Sequence, residues 1–122
     1  MKLMVVDDSR VMRGKIQRAV EAIGIYDVLT ASNGVEAVET FKREQPKLVT
    51  MDITMPEMDG IECVKQLVAI DPNVLILVIS ALSDKTTTME ALKNGAKGFL
   101  RKPFDDDELA AKIKAAGKVD TI

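Results

Sequence analysis

Histidine is absent from the 122-residue chain and cysteine occurs once, as Cys63. The first absence excludes Ser-His-Asp and Cys-His catalysis and His-ligated zinc. The second excludes an internal disulfide, so the cytoplasm is the expected location. Cys63 itself reads as an inert helix residue. No apolar run approaches the roughly 20 residues that cross a bilayer, and the Met1-Lys2-Leu3 start has no signal-peptide pattern. A basic excess is missing too. The net charge is -2, with 17 Lys and Arg against 19 Asp and Glu, which offers no footprint for nucleic acid or anionic lipid. Linkers, repeat arrays and low-complexity stretches are also lacking. What remains is 47% hydrophobic and 30% charged, a globular composition. The length suits one core rather than two, so residues 1–122 are expected to form a single, monomeric domain whose output runs through a partner. The Met1 start favours a complete chain.

Short apolar runs alternate with segments of helical period. This argues for an α/β fold of five strand-helix units around a parallel sheet. The first strand is Leu3-Met4-Val5-Val6. Ser9 then caps a helix whose apolar stripe is Val11, Met12, Ile16, Ala19, Val20 and Ile23, ended by Gly24. A second strand covers Asp27 to Ala31, and Asn33-Gly34 turns into a helix from Val35 to about Glu44 that Pro46 stops. The third strand is Leu48 to Ile53, followed by a loop from Thr54 to Gly60 in which Met55 and Met58 pack under the strand ends, and by a helix from Ile61 to Ile70. Leu75 to Ile79 is the fourth strand. The helix after it runs from Lys85 to Asn94, with Met89 and Leu92 as its buried stripe and Gly95 as its stop. Gly98 to Arg101 is the fifth strand, and the last helix starts within Asp105-Asp106-Asp107-Glu108, acids that suit its positive end. Lys118 to Ile122 reads as a frayed tail.

Polar residues punctuate four of these strands, and a carboxylate that ends a buried strand needs a reason. Asp7 and Asp8 close the first strand, Asp52 the third, Ser80 the fourth and Lys102 the fifth. The separations are 44, 28 and 22 residues, which correspond to two, one and one strand-helix repeats. If all strands run the same way, these groups emerge together at the carboxyl edge, where open α/β sheets place their ligands. Leaving out the three aspartates would leave 16 acids against 17 bases, so the acidity belongs to this cluster as much as to the surface. Three carboxylates in a partly desolvated cleft must protonate or hold a cation. All-oxygen ligation selects a hard divalent ion, Mg²⁺, with Mn²⁺ able to substitute. A carboxylate can also attack phosphorus, in chemistry that is mainly positioning and charge neutralisation. Asp52, on the central strand, is assigned as nucleophile. Lys102 would bring an ammonium to one phosphoryl oxygen and Ser80 a hydroxyl to another.

These residues resemble a response-regulator receiver domain of two-component signalling, most like the stand-alone regulators of chemotaxis. The resemblance spans the chain and rests on Val5-Val6-Asp7-Asp8-Ser9, on Met51-Asp52-Ile53-Thr54-Met55-Pro56-Glu57-Met58-Asp59-Gly60, on Ile79-Ser80-Ala81, on Gly95-Ala96-Lys97-Gly98-Phe99 and on Lys102-Pro103-Phe104. It implies a doubly wound, flavodoxin-like sheet of strand order 2-1-3-4-5 with helices on both faces. Asp52 would accept phosphate from a histidine kinase. Asp8, Asp52 and the Thr54 carbonyl would ligate Mg²⁺ directly, and Asp7 through water. The peptide bond from Lys102 to Pro103 would be cis. Ser80 and Phe99 would move together as the switch, and the output face would be the fourth helix, fifth strand and fifth helix, near Thr88, Phe99 and Lys102. Phe99 departs from the tyrosine often found at its position and has no hydroxyl to offer a partner. The implied partners are the kinase, the flagellar motor switch protein or another target, and a phosphatase. The domain would catalyse only its own phosphorylation and dephosphorylation, and apolar Leu82, flanking the water path with Thr54, implies unhurried hydrolysis.

Competing functions remain in view. A phosphorelay shuttle to a histidine phosphotransfer protein would use the same residues. An Asp-nucleophile phosphohydrolase typically has a second aspartate two residues after the nucleophile, where this chain has Thr54, and the chain has no cap domain to enclose a substrate. A flavodoxin-like FMN carrier needs a hydroxyl- and glycine-rich phosphate loop, which Asp7-Asp8 would repel.

Overall fold

The computed structural model describes residues 2–53, 60–81 and 85–117. Among these, five strands alternate with five helices. The strands are β1 (Lys2–Val6), β2 (Asp27–Ala31), β3 (Leu48–Asp52), β4 (Leu75–Ser80) and β5 (Gly98–Arg101). The helices are α1 (Arg10–Glu21), α2 (Gly34–Glu44), α3 (Gly60–Ile70), α4 (Lys85–Lys93) and α5 (Asp106–Gly117). The sheet order is β2-β1-β3-β4-β5 and every pairing is parallel, the expected flavodoxin-like arrangement. The expected Thr54 to Asp59 part of the loop, Leu82 and the tail from Lys118 to Ile122 lie outside the described residues.

The strands read as nearly unbroken apolar runs because both faces of the sheet are covered. Successive side chains point to opposite faces, and the core divides accordingly. Met4, Val6, Val49, Met51, Ile76 and Val78 pack against α2, α3 and α4 through Phe41, Val64, Leu67 and Ala91. Leu3, Val5, Leu48, Leu77, Ile79 and Leu100 pack against α1 and α5 through Ile16, Val20, Leu109 and Ile113. Local signals set the helix ends. The Ser9 hydroxyl accepts from the Met12 N–H, and the Asn33 side chain from the Glu36 N–H. Gly95 ends α4 with φ +116, a conformation in which a side chain would also strike Val68.

Two expected core residues face water instead. Val11 is 81% exposed, because it shares a row of α1 with Arg18 while Met12, Ile16, Ala19 and Ile23 turn toward the sheet. Met89 is 57% exposed. The inward row of α4 is Thr88 and Ala91, with Leu92 beside them, and Met89 sits with Lys93 on the outer row. Thr88 takes that inward position. Cys63 is buried between α3 and α2, its Sγ 3.8 Å from the Gly34 carbonyl, in keeping with an inert role.

Thr50, in the middle of β3, is fully buried and its hydroxyl has no hydrogen-bond partner among the described residues. An unpaired buried hydroxyl costs stability that a methyl of similar shape does not. Thr50→Val is therefore expected to raise stability by about 1 kcal/mol, read as a higher urea midpoint at unchanged slope. An unchanged or lowered midpoint would show that the hydroxyl is satisfied.

Candidate functional site

The register of the sheet assembles the carboxyl edge. Val5 pairs with Thr50, so two residues further along each strand Asp7 arrives beside Asp52. Extending the alternation of the strands places Asp7, Asp52 and Lys102 in the rows of Val5, Thr50 and Leu100, on the side of α1 and α5. Asp8 and Ser80 fall in the opposite rows. The ladder itself continues to the rim: the Asp7 N–H donates to the Ala31 carbonyl at 3.1 Å and the Lys102 N–H to the Ser80 carbonyl at 2.8 Å.

Asp7, Asp8 and Asp52 each bring a carboxylate oxygen within 4.8 Å of the others. Asp7 and Asp52 are 1% and 2% exposed, and Asp8 is exposed. The Lys102 ammonium lies 3.8 Å from Asp52 Oδ2 and 4.0 Å from Asp7 Oδ2, long for hydrogen bonds but close for charges. Asp7 is held from both sides. Its Oδ1 accepts from the Ser9 N–H at 2.8 Å, and its carbonyl accepts from Arg13 Nη1 at 2.7 Å. Its Oδ2, by contrast, is buried with no hydrogen-bond partner among the described residues. Burial pushes the Asp7 carboxyl up to about 6; the Ser9 N–H and Lys102 oppose this rise, while Asp52 and Asp8 add to it.

The donor set fits a hard cation. A buried carboxylate oxygen that accepts no hydrogen bond among the described residues lies in a cluster of three acids, with the Lys102 ammonium 4.0 Å away as its ion-pair partner. Asp7, Asp8 and Asp52 are the described residues that could hold it, and the expected contribution of the Thr54 carbonyl lies outside the described residues. Ser80 is 2% exposed at the end of β4. Phe99, on edge strand β5, is half-buried against the core under α4, with the Arg101 guanidinium 5.8 Å and the Lys112 ammonium 5.2 Å from its ring centroid. Thr88 is buried on α4. The expected cis bond between Lys102 and Pro103 is present. Sequence reasoning missed Arg13 and the reason for Gly60. A Cβ at Gly60 would collide with the Ile53 backbone and lie 2.9 Å from the Asp52 carbonyl, so only glycine lets α3 begin against the end of β3. A glycine placed just before a helical period, eight residues after the candidate nucleophile, was the available signal.

A parallel sheet with an acid triad and a lysine converging on its carboxyl edge is the plan of a receiver domain, and the comparisons agree. The family model described as response regulator receiver domain matches residues 3–114. The chain is 40% identical over 118 residues to the chemotaxis protein CheY of Listeria monocytogenes, covering 97% of this chain and 99% of that one. It is 41% identical over 112 residues to the chemotaxis protein CheY of Bacillus subtilis, covering 92% and 93%. The crystal structure of a response regulator receiver domain protein from Clostridium thermocellum superposes with a TM-score of 0.88 at 28% identity, covering 94% and 92%. The chain belongs to the response-regulator receiver family and is of the CheY type. Its class is that of a signalling domain in two-component systems, which meets a kinase and a target. No described helix is long and apolar enough to cross a membrane.

A raised carboxyl pKa favours the protonated form of Asp7 in the folded protein. The stability this group contributes is thus fully present below its ordinary value of 3.8 and is lost as pH rises through about 6. Metal-free protein is expected to melt at a lower temperature at about pH 7.5 than at about pH 5, and a saturating divalent cation should recover most of the difference. Melting scans with and without chelator check this. If Asp7→Asn shows the same pH slope as wild type, Asp7 is not its source.

Proposed function

We propose that residues 1–122 act as a single cytoplasmic phosphoacceptor domain in which Asp52 receives a phosphoryl group from a histidine kinase. The observation that carries this reading is the convergence of Asp52 with two further acids and the Lys102 ammonium, 3.8 Å away, at the carboxyl edge of the sheet. The Asp52 carboxylate oxygen attacks phosphorus, an O–P bond forms as the N–P bond to the kinase imidazole breaks, and the imidazole, already protonated at its other ring nitrogen, takes the N–P electron pair and leaves neutral. Mg²⁺, or Mn²⁺ in its place, would be held by Asp7, Asp8, Asp52 and the Thr54 carbonyl, and when bound it neutralises phosphoryl oxygens.

The residues of the chain supply the rest. Lys102 offers its ammonium to a second phosphoryl oxygen, and Ser80 its hydroxyl to a third. Burial of Asp52 keeps competing water away from the nucleophile. The family resemblance supplies the output: Ser80 moves toward the added charge, Phe99 turns inward, and the face of α4, β5 and α5 near Thr88 changes its affinity for a target. The CheY-type relatives point to chemotaxis, with the flagellar motor switch as that target and a phosphatase ending the signal.

Mg²⁺-dependent labelling with acetyl phosphate tests the chemistry. Wild type is expected to incorporate about one phosphoryl group per chain, and Asp52→Asn essentially none. Equal labelling of the two would overturn the assignment. Beryllofluoride-activated protein should also bind a motor-switch peptide more tightly than the unactivated form. Indifference of that peptide, together with transfer of phosphate to a histidine phosphotransfer domain, would replace chemotaxis by a relay.

A further inference from the structure

Helix α1 begins immediately after the acid pair and returns two cations to the backbone of the site. Arg13 holds the Asp7 carbonyl. Lys15 reaches from α1 to the segment that follows β5, where its ammonium donates to the Phe104 carbonyl at 3.0 Å and lies 4.7 Å from the centroid of the Phe104 ring. Phe104 is two residues after Lys102 and is 5% exposed, in the core shared by α1 and α5.

The segment from 102 to 105 is otherwise fixed by its own strand and helix. The Lys102 N–H bonds to the Ser80 carbonyl at 2.8 Å. Asp105 and Glu108 cap each other at the start of α5, with bonds of 2.8 and 3.3 Å. Among the described residues, the Lys15 bond is the one that fixes this segment's backbone to the helix following the acids. An ammonium donating to a carbonyl is a charge-assisted bond, stronger than a neutral one. The neighbouring acids do not account for Lys15: it forms no ion pair within 4.0 Å with Asp105, Asp106 or Asp107, although all of them line the same cleft.

We infer that Lys15 is a positioning residue for phosphoryl transfer, holding the Phe104 carbonyl against α1 so that the Lys102 ammonium stays within reach of Asp7 and Asp52. The inference rests on the phosphoacceptor reading of Asp52. A lysine's reach toward two carboxylates at 3.8 and 4.0 Å depends on where its backbone sits. Transfer that works by positioning and charge neutralisation is sensitive to displacements of this size.

The test measures initial rates of acetyl phosphate labelling, per folded chain, over a range of Mg²⁺ concentrations, for wild type, Lys15→Met, Lys15→Arg and Asp52→Asn. Lys15→Met is expected to label about tenfold more slowly at saturating Mg²⁺, with its half-saturating Mg²⁺ concentration within about twofold of wild type. Lys15→Arg, which keeps a cationic donor, should recover most of the rate. A role confined to packing would lower the melting temperature of Lys15→Met and leave the rate per folded chain unchanged. The inference is overturned by that result, by a rate loss that a shift in Mg²⁺ half-saturation accounts for, or by a loss that Lys15→Arg does not reverse. Labelling of Asp52→Asn at the wild-type rate would instead overturn the phosphoacceptor reading itself, whatever the Lys15 variants do.

Discussion

Three carboxylates within 4.8 Å of one another, two of them buried, repel at a strength that water no longer screens. One ammonium at 3.8 to 4.0 Å offsets part of that repulsion. Burial first, and the neighbouring acids after it, raise the Asp7 carboxyl to about 6, and among the described residues its Oδ2 accepts no hydrogen bond. A fold tolerates such a concentration of like charge only where it is selected for, because burying an unpaired acceptor costs of order 1 to 3 kcal/mol. The rest of the site can be understood as a means of holding that charge in place. Ser9 and Arg13 restrain Asp7, the absence of a Cβ at Gly60 lets α3 close against the Asp52 carbonyl, and Ser80 anchors the Lys102 backbone.

Parallel topology makes this concentration possible. Every strand delivers its last residue to the same rim, and the pleat then sorts those residues by face. Asp7, Asp52 and Lys102 continue rows that pack on α1 and α5, so the helices most able to influence their spacing are α1 and α5. Ser80 and Phe99 belong to the rows facing α4. A change at the acid cluster thus has a short route to the opposite face: across the Lys102 to Ser80 hydrogen bond, and along β5 to the ring that Arg101 and Lys112 flank.

The sequence revealed what depends on local period and on spacing in steps of one repeat. Strand positions, the helix cap at Ser9, the turn at Asn33-Gly34, the stop at Gly95 and the gathering of Asp7, Asp8, Asp52 and Lys102 all follow from such signals. The misreadings have physical causes as well. On short helices an apolar side chain can sit one row off the stripe, and a β-branched threonine can take its place, so Val11 and Met89 are exposed while Thr88 is buried. The bond from Lys15 to Phe104 joins residues 89 positions apart through a carbonyl, a group that every residue has, so no pattern of side chains could announce it. Gly60 was read as part of a turn, and its second constraint, the closeness of the Ile53 backbone, emerges only once α3 is placed against β3.

The same placement bears on why such a site suits a signal better than turnover, on the proposed function. An enzyme acting on a diffusible phosphate ester gains by enclosing its substrate and by supplying a proton donor for the leaving group. Here the described cleft is a rim. Asp8 lies exposed beside it, and the Lys102 ammonium, 3.8 Å from Asp52, is placed on the proposed reading to neutralise charge rather than to donate to a leaving group. The donor protein can bring its own leaving group, an imidazole that departs neutral, so the receiver needs only to present an oxygen and balance charge. Once transferred, the phosphoryl group adds negative charge at the point where the fold already carries an excess. On that reading the hydroxyl of Ser80 and the strand beyond it are the elements that would respond, and a change in charge at one rim would become a change in shape at the edge strand.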